Sequence, residues 1–336
     1  MGFDTLKLEK GMYTTGNSFT GTLEALDPSA QYKGTPLEGL DAYQRQLKRF
    51  DIRVSGPGSS TVEKFFATTD SAALFPEYVA RAVRQGMEEA DLLPSIVAAT
   101  TQIDSLDYRS IESVPTDADK ELAAVAEGAF IPETVVRTQE NLVKLHKRGR
   151  MLTASYEAIR FQKLDLFTIT LKQIGAYIAR TQFADAVQVL LNGDGNNNAA
   201  ASSAIADTTN HAITYADLID FWNLFSPYAL RTLVASPAVL AKLLKLSEFK
   251  DANAGFNFQS TGKMVTPFGA ELIRANTLTD NVLLGLDNTC ALEMVKAGDV
   301  TTEFDKLIDR QLERAAITST AGFSKIFKDA SRALTL

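Results

Sequence analysis

The sequence predicts an α+β fold built around one unusually long helix. Three observations carry this expectation. Apolar residues recur at helical spacing from about Tyr156 to Leu191. A looser alternation of apolar and polar residues over 105–152 reads as strands. Beyond the long helix, short helices and strands alternate and then give way to a strand-rich C-terminal stretch, the pattern of a mixed sheet domain. With 336 residues, 45% hydrophobic and 22% charged, the chain has an ordinary globular balance and enough length for more than one core.

The elements follow in order. Residues 1–60 are the least regular part, rich in Gly, Thr and Ser, with Pro28, Pro36 and Pro57 among few periodic apolar positions. A short amphipathic helix fits Leu40–Phe50, and Gly56–Ser60 reads as a hinge. The region as a whole is a flexible tail or an extended arm that orders on a partner. A helix follows, with Ser71 ahead of Leu74, Tyr78, Val79 and Val83 and with Pro76 in its first turn. Gly86 weakens its far end and Pro94 stops it, leaving Leu92–Val97 as a short extended piece.

Residues 105–152 read as a long two-stranded excursion, with an acidic, alanine-rich connection between Thr116 and Gly128 and a basic run from Lys144 to Arg150. A two-stranded ribbon is marginal in water by itself, so this one is expected to lie on a neighbouring subunit. The long helix contains no proline, and Gly175 is its one weak point. Asn192-Gly193-Asp194-Gly195 is a strong stop. Residues 196–212 read as a polar loop. Thr214 then caps a helix through Phe225 with Asp217 in its first turn. A buried strand over Arg231–Ser236, a helix over Pro237–Leu246, a glycine-rich excursion over Lys250–Lys263, and strands at Ala270–Ile273 and Val282–Leu286 come next. Asp299–Ala330 reads as long antiparallel strands, and no internal repeat is evident.

Composition narrows the function. A net charge of −7 argues against tight nucleic-acid binding, which relies on neutralising phosphates, but allows a nucleic acid to be enclosed without being gripped. No stretch approaches the roughly 18 apolar residues of a membrane span, so no membrane role is expected. The start, MGFDTLKLEK, lacks the apolar core of a secretory signal, which implies a chain made and folded in the cytoplasm. The two histidines, His146 and His211, are isolated in sequence, and the single cysteine, Cys290, has no partner for an internal disulfide. Triad chemistry needs a base beside a Ser or Cys, and no nucleophile elbow occurs, so Cys290 reads as a small core residue. Asn192–Asn198 resembles the start of a calcium loop, but Asn197 stands at the glycine position and Ser203 where a bidentate Glu is required. The helix stop is the better reading, and no cofactor or metal is expected. Asp305 and Asp309 would suit glycosidase-type chemistry only if they converged.

Three segments resemble one family. Phe65-Phe66-Ala67-Thr68-Thr69-Asp70-Ser71-Ala72-Ala73-Leu74-Phe75-Pro76-Glu77-Tyr78-Val79 is similar to the start of many major capsid proteins of tailed bacteriophages. Ala126-Glu127-Gly128-Ala129-Phe130-Ile131-Pro132-Glu133 resembles the Ala-Glu-x-x-x-x-Pro-Glu turn of that family's extended loop. Leu190–Gly195 resembles the Leu-Asn-Gly-Asp-Gly that closes its spine helix. Their shared order over 62–336 makes the match specific.

The resemblance implies the Hong Kong 97 fold, divided into an N-terminal arm (1–104), an extended loop (105–155), a peripheral domain (156–212 and 297–336) and an axial domain (213–296). It implies a non-enzymatic subunit that builds hexamers and pentamers of an icosahedral virion shell around double-stranded DNA, with portal and decoration proteins as partners. Residues 1–60 are too irregular for a helical, charged scaffolding segment, which points to a separate scaffolding protein. Some relatives cross-link through a Lys–Asn isopeptide bond, but 297–336 contains no Asn. Non-covalent burial is therefore expected to hold the shell together. The assembly-interface candidates are Lys144, Lys147, Arg148 and Arg150, as loop-to-neighbour salt bridges, with Glu127, Phe130 and Glu133 at the turn. The alternatives are an encapsulin-type shell of the same fold around cargo protein and, from another class, a hydrolase with scattered carboxylates.

Overall fold

The structure, a computed structural model, describes residues 3–13, 18–111, 124–131, 136–155, 157, 161–250, 264–310 and 312–336. Its helices are α1 (Phe19–Leu26), α2 (Ala42–Arg49), α3 (Thr69–Ala72), α4 (Phe75–Glu89), α5 (Leu164–Asn192), α6 (Tyr215–Asn223), α7 (Pro237–Leu243) and α8 (Ser247–Lys250). Its strands are β1 (Ala99–Ile103), β2 (Leu145–Ser155), β3 (Ala201–Ala204), β4 (Thr232–Ala235), β5 (Glu271–Arg274), β6 (Val282–Leu286), β7 (Leu292–Ala297), β8 (Thr301–Leu307), β9 (Leu312–Lys325) and β10 (Ser331–Thr335). The chain divides into two compact units.

The first unit comprises 1–91, 148–179 and 299–319. In the described residues of the N-terminal region, α1 and α2 pack into this unit's own core. Ser18 caps α1 by accepting from Gly21 N–H at 3.0 Å, and Asp41 and Gln44 form a reciprocal capping box on α2. Phe19, Leu23, Tyr43 and Leu47 are buried with Leu74, Tyr78, Val79 and Val83 and with Leu164, Leu171, Ile174 and Ile178 of α5. The region lacks long periodicity because its two helices are only eight residues each, yet each still buries an apolar face.

The helix expected after Ser71 is divided. Thr68 caps the four-residue α3, and α4 starts afresh at Phe75 with Pro76 in its first turn. Gly86 lies inside α4 and faces α5. A Cβ there would stand 2.6 Å from the Lys172 carbonyl carbon, and one at Gly175 would stand 2.8 Å from Met87 N. The two glycines thus let α4 and α5 cross backbone on backbone. The long helix α5 starts at Leu164, and the chain entering it is bonded to residues 60–62. Val62 N–H donates to Gln162 C=O at 3.0 Å and Leu164 N–H to Ser60 C=O at 2.9 Å. The 29-residue α5 is about 43 Å long at 1.5 Å per residue. In this unit β8 pairs with the first half of β9 as an antiparallel hairpin, Thr301 opposite Thr318 and Leu307 opposite Leu312.

The second unit comprises 92–147, 180–298 and 320–336 and holds two apolar clusters. In one, Phe183, Ala186, Val187 and Leu190 of α5 pack with Leu292, Met294 and Phe323; β7 there pairs parallel to β1 and antiparallel to the second half of β9. The other cluster lies around a sheet of order β3-β10-β6-β4-β5, with Leu218, Phe221 and Phe225 of the α6 region against Leu233, Leu283 and Leu334. Thr214 caps α6 with Asp217 in a capping box, as its sequence pattern predicts.

Two expectations for this unit need correction. Leu93–Ser95 is a 3-10 turn rather than an extended piece, and Leu93 and Ile96 are buried by it. The expected loop 196–212 contains β3, whose alanine and serine side chains are too small to show an apolar alternation. Residues 331–335, grouped above with the peripheral domain, form β10 between β3 and β6, with Ala333 opposite Leu284. They join β3 to the strands β4, β5 and β6 in one five-stranded sheet. The glycine-rich excursion at 251–263 lies outside the described residues.

Candidate assembly surface

Two segments of the second unit form the root of the excursion. Residues 108–111 and 138–143 run antiparallel, with Gln139 N–H donating to Ser110 C=O at 2.8 Å and Val143 N–H to Tyr108 C=O at 2.9 Å. Among the described residues the legs are joined here by these bonds and one isolated bridge, Ile111 with Thr138, while β2 itself pairs with β9. Farther out, Ala129 N–H closes a turn on Ala126 C=O at 3.0 Å, with Gly128 at φ +77°, where a side chain would be strained. Glu127 is exposed on this turn, and Phe130 and Ile131 follow at 101% and 76% exposure. Glu133 lies outside the described residues.

The root is bolted by buried polar side chains. Gln139 is 4% exposed; its amide nitrogen donates to Lys325 C=O at 3.1 Å, and its oxygen accepts from Asn196 Nδ2 and Ser324 Oγ, each at 3.0 Å. Asn141 donates to Gly195 C=O at 2.9 Å. Asp194, in the turn that ends α5, accepts from Lys325 N–H (3.0 Å) and from both the backbone and side-chain nitrogens of Asn196, and it shares the single Ser324 hydroxyl proton, 2.9 Å away at Oγ, with Gln139. Burial alone raises the Asp194 carboxyl, but these donors outweigh it and hold the group below the ordinary aspartate range. The calcium-like loop is thus a hydrogen-bonded helix stop. Lys325 is buried too, its ammonium on Leu190 C=O at 3.2 Å, and burial lowers its pKa to about 8.

The basic run does not form one patch. Side chains alternate along β2, so Lys147 faces one way while Arg148 and Arg150 face the other. Lys144 and Lys147 are exposed, as is Arg150, whereas Arg148 is half-buried. Gly149 permits close pairing with β9 in the first unit, since a Cβ there would meet Thr318. His146 Nδ1 stands 3.7 Å from Asp185 in a second-unit cavity of about 350 Å³ that Lys144 also lines. One more surface stands out in the first unit, where Leu166, Ile169 and Tyr177 of α5 are each more than half exposed along one helical face.

Cys290 is half-buried beside the Leu292 cluster, and burial, followed by the Asp287 charge, raises its thiol pKa, the opposite of activation. His211 Nδ1 is 2.6 Å from Leu336 C=O. Asp309 pairs with its neighbour Arg310 at 3.7 Å. Glu293, Gln139 and Asp194 were not singled out from sequence as parts of one network. The one available signal was a glutamate inside the apolar run Ala291–Val295.

The family described as phage capsid protein matches residues 138–317, just over half of the chain. No curated protein sequence matches. Among solved structures, a virus-like particle from Pyrococcus furiosus is similar at 15% identity and a TM-score of 0.52, covering 77% of this chain and 99% of that one. The capsid of an empty GTA particle matches at 14% identity and 0.53, covering 71% and 88%. Microbacterium phage Oxtober96 matches at 11% identity and 0.50, covering 73% and 91%. At such identities these likenesses speak for the fold, and the family match for the role, that of a structural and non-enzymatic shell protein. The mixed helix-and-sheet architecture, the long spine helix with its Gly-Asp-Gly stop and the family match place the chain in the phage capsid protein family, as a capsid protein of the Hong Kong 97 fold.

Proposed function

We propose that the chain builds the hexamers and pentamers of an icosahedral phage head enclosing double-stranded DNA. The observation that carries this reading is the excursion from 105 to 155, with a hydrogen-bonded root and an outer turn that presents Phe130 and Ile131 to solvent. Exposing two large apolar side chains costs about 1.5–3 kcal/mol each relative to burial, a cost that a covering neighbour removes. Each subunit lays this loop over a neighbour. Many such contacts must open together, so individually weak interfaces persist. The exposed face of α5 with Leu166, Ile169 and Tyr177 is a second surface for contact between copies.

Lys144, Lys147, Arg148 and Arg150 supply salt bridges to neighbours, with contributions from both faces of β2. Glu127, exposed on the turn, serves as polar rim, and Glu133 is an interface candidate from its place in the sequence. The segment 1–104 acts as the arm, 156–212 with 297–336 as the peripheral domain and 213–296 as the axial domain, with β10 contributing to the axial sheet. A separate scaffolding protein directs assembly in the host cytoplasm, and portal and decoration proteins complete the virion. The net charge of −7 fits a wall that encloses DNA without sequence-specific contact.

Negative-stain electron microscopy with size-exclusion chromatography tests the proposal. Closed shells, or isolated pentamers and hexamers, are expected, with DNA in particles recovered from infection. A monomer at every concentration, with or without scaffolding protein, refutes it. Reversing Lys147 and Arg150 to Glu should lower particle yield without unfolding the subunit, and an unchanged yield removes them from the interface. The shared fold with the Pyrococcus furiosus virus-like particle keeps a cargo-protein shell as the second reading, and the contents of the particles decide between the two.

A further inference from the structure

Glu293 is 7% exposed on β7, in the middle of an otherwise apolar run. Among the described residues no lysine, arginine or histidine reaches it in an ion pair. Its carboxylate instead accepts from three hydroxyls. Tyr108 Oη donates at 2.6 Å and Thr101 Oγ1 donates to the same oxygen, while Ser110 Oγ donates to the other. A buried carboxylate without a cation is costly unless hydrogen bonds replace its lost water. Burial, then the bond to Glu293, raises the Tyr108 phenol, so Tyr108 remains a donor across the neutral range.

The origin of these donors is the informative part. Thr101 belongs to β1, which is already paired to β7 along its length. Tyr108 and Ser110 belong to the outgoing leg of the excursion. The neighbours Asp104, Ser105, Leu106, Asp107 and Arg109 on that leg are exposed. Arg109 donates to Glu140 C=O on the returning leg, so it ties leg to leg. The returning leg has its own anchor in Gln139.

We propose that Glu293 is a latch that sets the direction in which the excursion leaves the subunit, acting as a positioning residue for shell assembly through Tyr108 and Ser110. This rests on the reading of the excursion as the arm laid over a neighbour. The carboxylate suits the task because it accepts from two residues of one leg with its two oxygens, which fixes both position and twist. A neutral acceptor with one oxygen would fix position alone.

The test compares Tyr108→Phe with Ser110→Ala, made together, against Thr101→Ala. Both remove donors from the same carboxylate, but only the pair detaches the leg. Hydrogen exchange is followed on unassembled subunits, which keeps this readout independent of assembly, and particle yield is measured separately. The paired variant should speed exchange of the amides in 104–111 by roughly tenfold or more, the scale of one lost bond to a charged group. It should also cut particle yield, while Thr101→Ala does neither. Unchanged exchange in the paired variant, or equal behaviour of the two variants, overturns the latch. A loosened leg with full particle yield overturns its positioning role. Should deletion of the turn 124–131 leave assembly intact, the reading of the excursion itself fails, whatever the latch does.

Discussion

The crossing of α4 over α5 gives the sharpest quantitative expectation. Gly175→Ala adds one methyl group where the nearest atoms are the Val83 carbonyl and Met87 N of α4. Ordinary contact needs about 3.4 Å or more, so Met87 N must recede by several tenths of an ångström and the Val83 oxygen by over an ångström. Both belong to helix backbone and have no rotamer to escape into. The helices must therefore separate, opening the packing among Tyr78, Val79, Val83, Leu171 and Ile174. Overpacking of this kind costs about 1–3 kcal/mol, and the backbone character of the obstacle puts it at the upper end. Against it stands about 1 kcal/mol gained from alanine's higher helix propensity. A net loss of about 2 kcal/mol is expected, read as a lower urea midpoint in the helical circular-dichroism signal. Gly11→Ala is the control, with nothing within 4 Å of its Cβ. If Gly175→Ala is as stable as the parent, or more stable, the helices do not cross backbone on backbone and the account of Gly86 and Gly175 is wrong.

Other expectations concern charge, pH and surface. Arg45 and Asp27 are fully buried, joined at 2.8 Å, with Arg45 also donating to Ser29 and Leu40 C=O and lying 4.3 Å from the Tyr32 ring centroid. Arg45→Met strands the carboxylate and should cost about 3–5 kcal/mol, whereas adding Asp27→Leu should recover most of that loss in denaturant melts. Lys325 has a folded pKa of about 8 against an ordinary 10.5, so between those values the unfolded chain binds more protons and stability rises with pH. The rise is of order 3 kcal/mol over the whole interval. Burial also raises the Tyr43 phenol, which opposes the trend above about pH 10. The difference between wild type and Lys325→Met over pH 8–10 isolates the lysine, and a difference independent of pH contradicts its burial as a cation. Phe130→Ser should leave subunit stability within about 0.5 kcal/mol, since the ring is fully exposed, yet reduce particle yield.

Much of the fold was legible because its long-range features have local signatures. The spine helix repeats its apolar residues at one spacing, and its stop needs glycines at positive φ, which Gly193 and Gly195 supply at +82° and +101°. The capping box at Thr214–Asp217 and the buried strand around Leu233 and Val234 are equally local. What escaped depends on partners distant in sequence. The chain entering α5 is bonded to residues a hundred positions earlier, and β3 is a strand because β10 lies beside it. The first 60 residues looked irregular because two short helices and a fully buried Arg45–Asp27 pair replace a long apolar stripe.

The candidate interface residues stand out in sequence by charge, while their arrangement depends on the strand that carries them. A basic run is continuous in sequence, but a strand places successive side chains on alternate faces, so the charges of β2 are divided between its two faces. The same alternation places Ser324 opposite Glu293 across the β7–β9 ladder, on the face where Ser110 and Gln139 arrive. One sheet face thereby gathers acceptors and hydroxyls that are nearly 200 positions apart in the chain. Each residue alone is an ordinary polar side chain, and none carries a motif. Their joint burial gives the outgoing and returning legs of the excursion separate anchors on the same two strands. The root of the excursion is thus held at two points, Tyr108 with Ser110 on Glu293 and Gln139 on Lys325 and Ser324. A flexible arm would pay the entropy of ordering at every interface it forms, and a shell contains many. Ordering the root within the subunit moves that cost from assembly to folding, where the cores of the two units offset it.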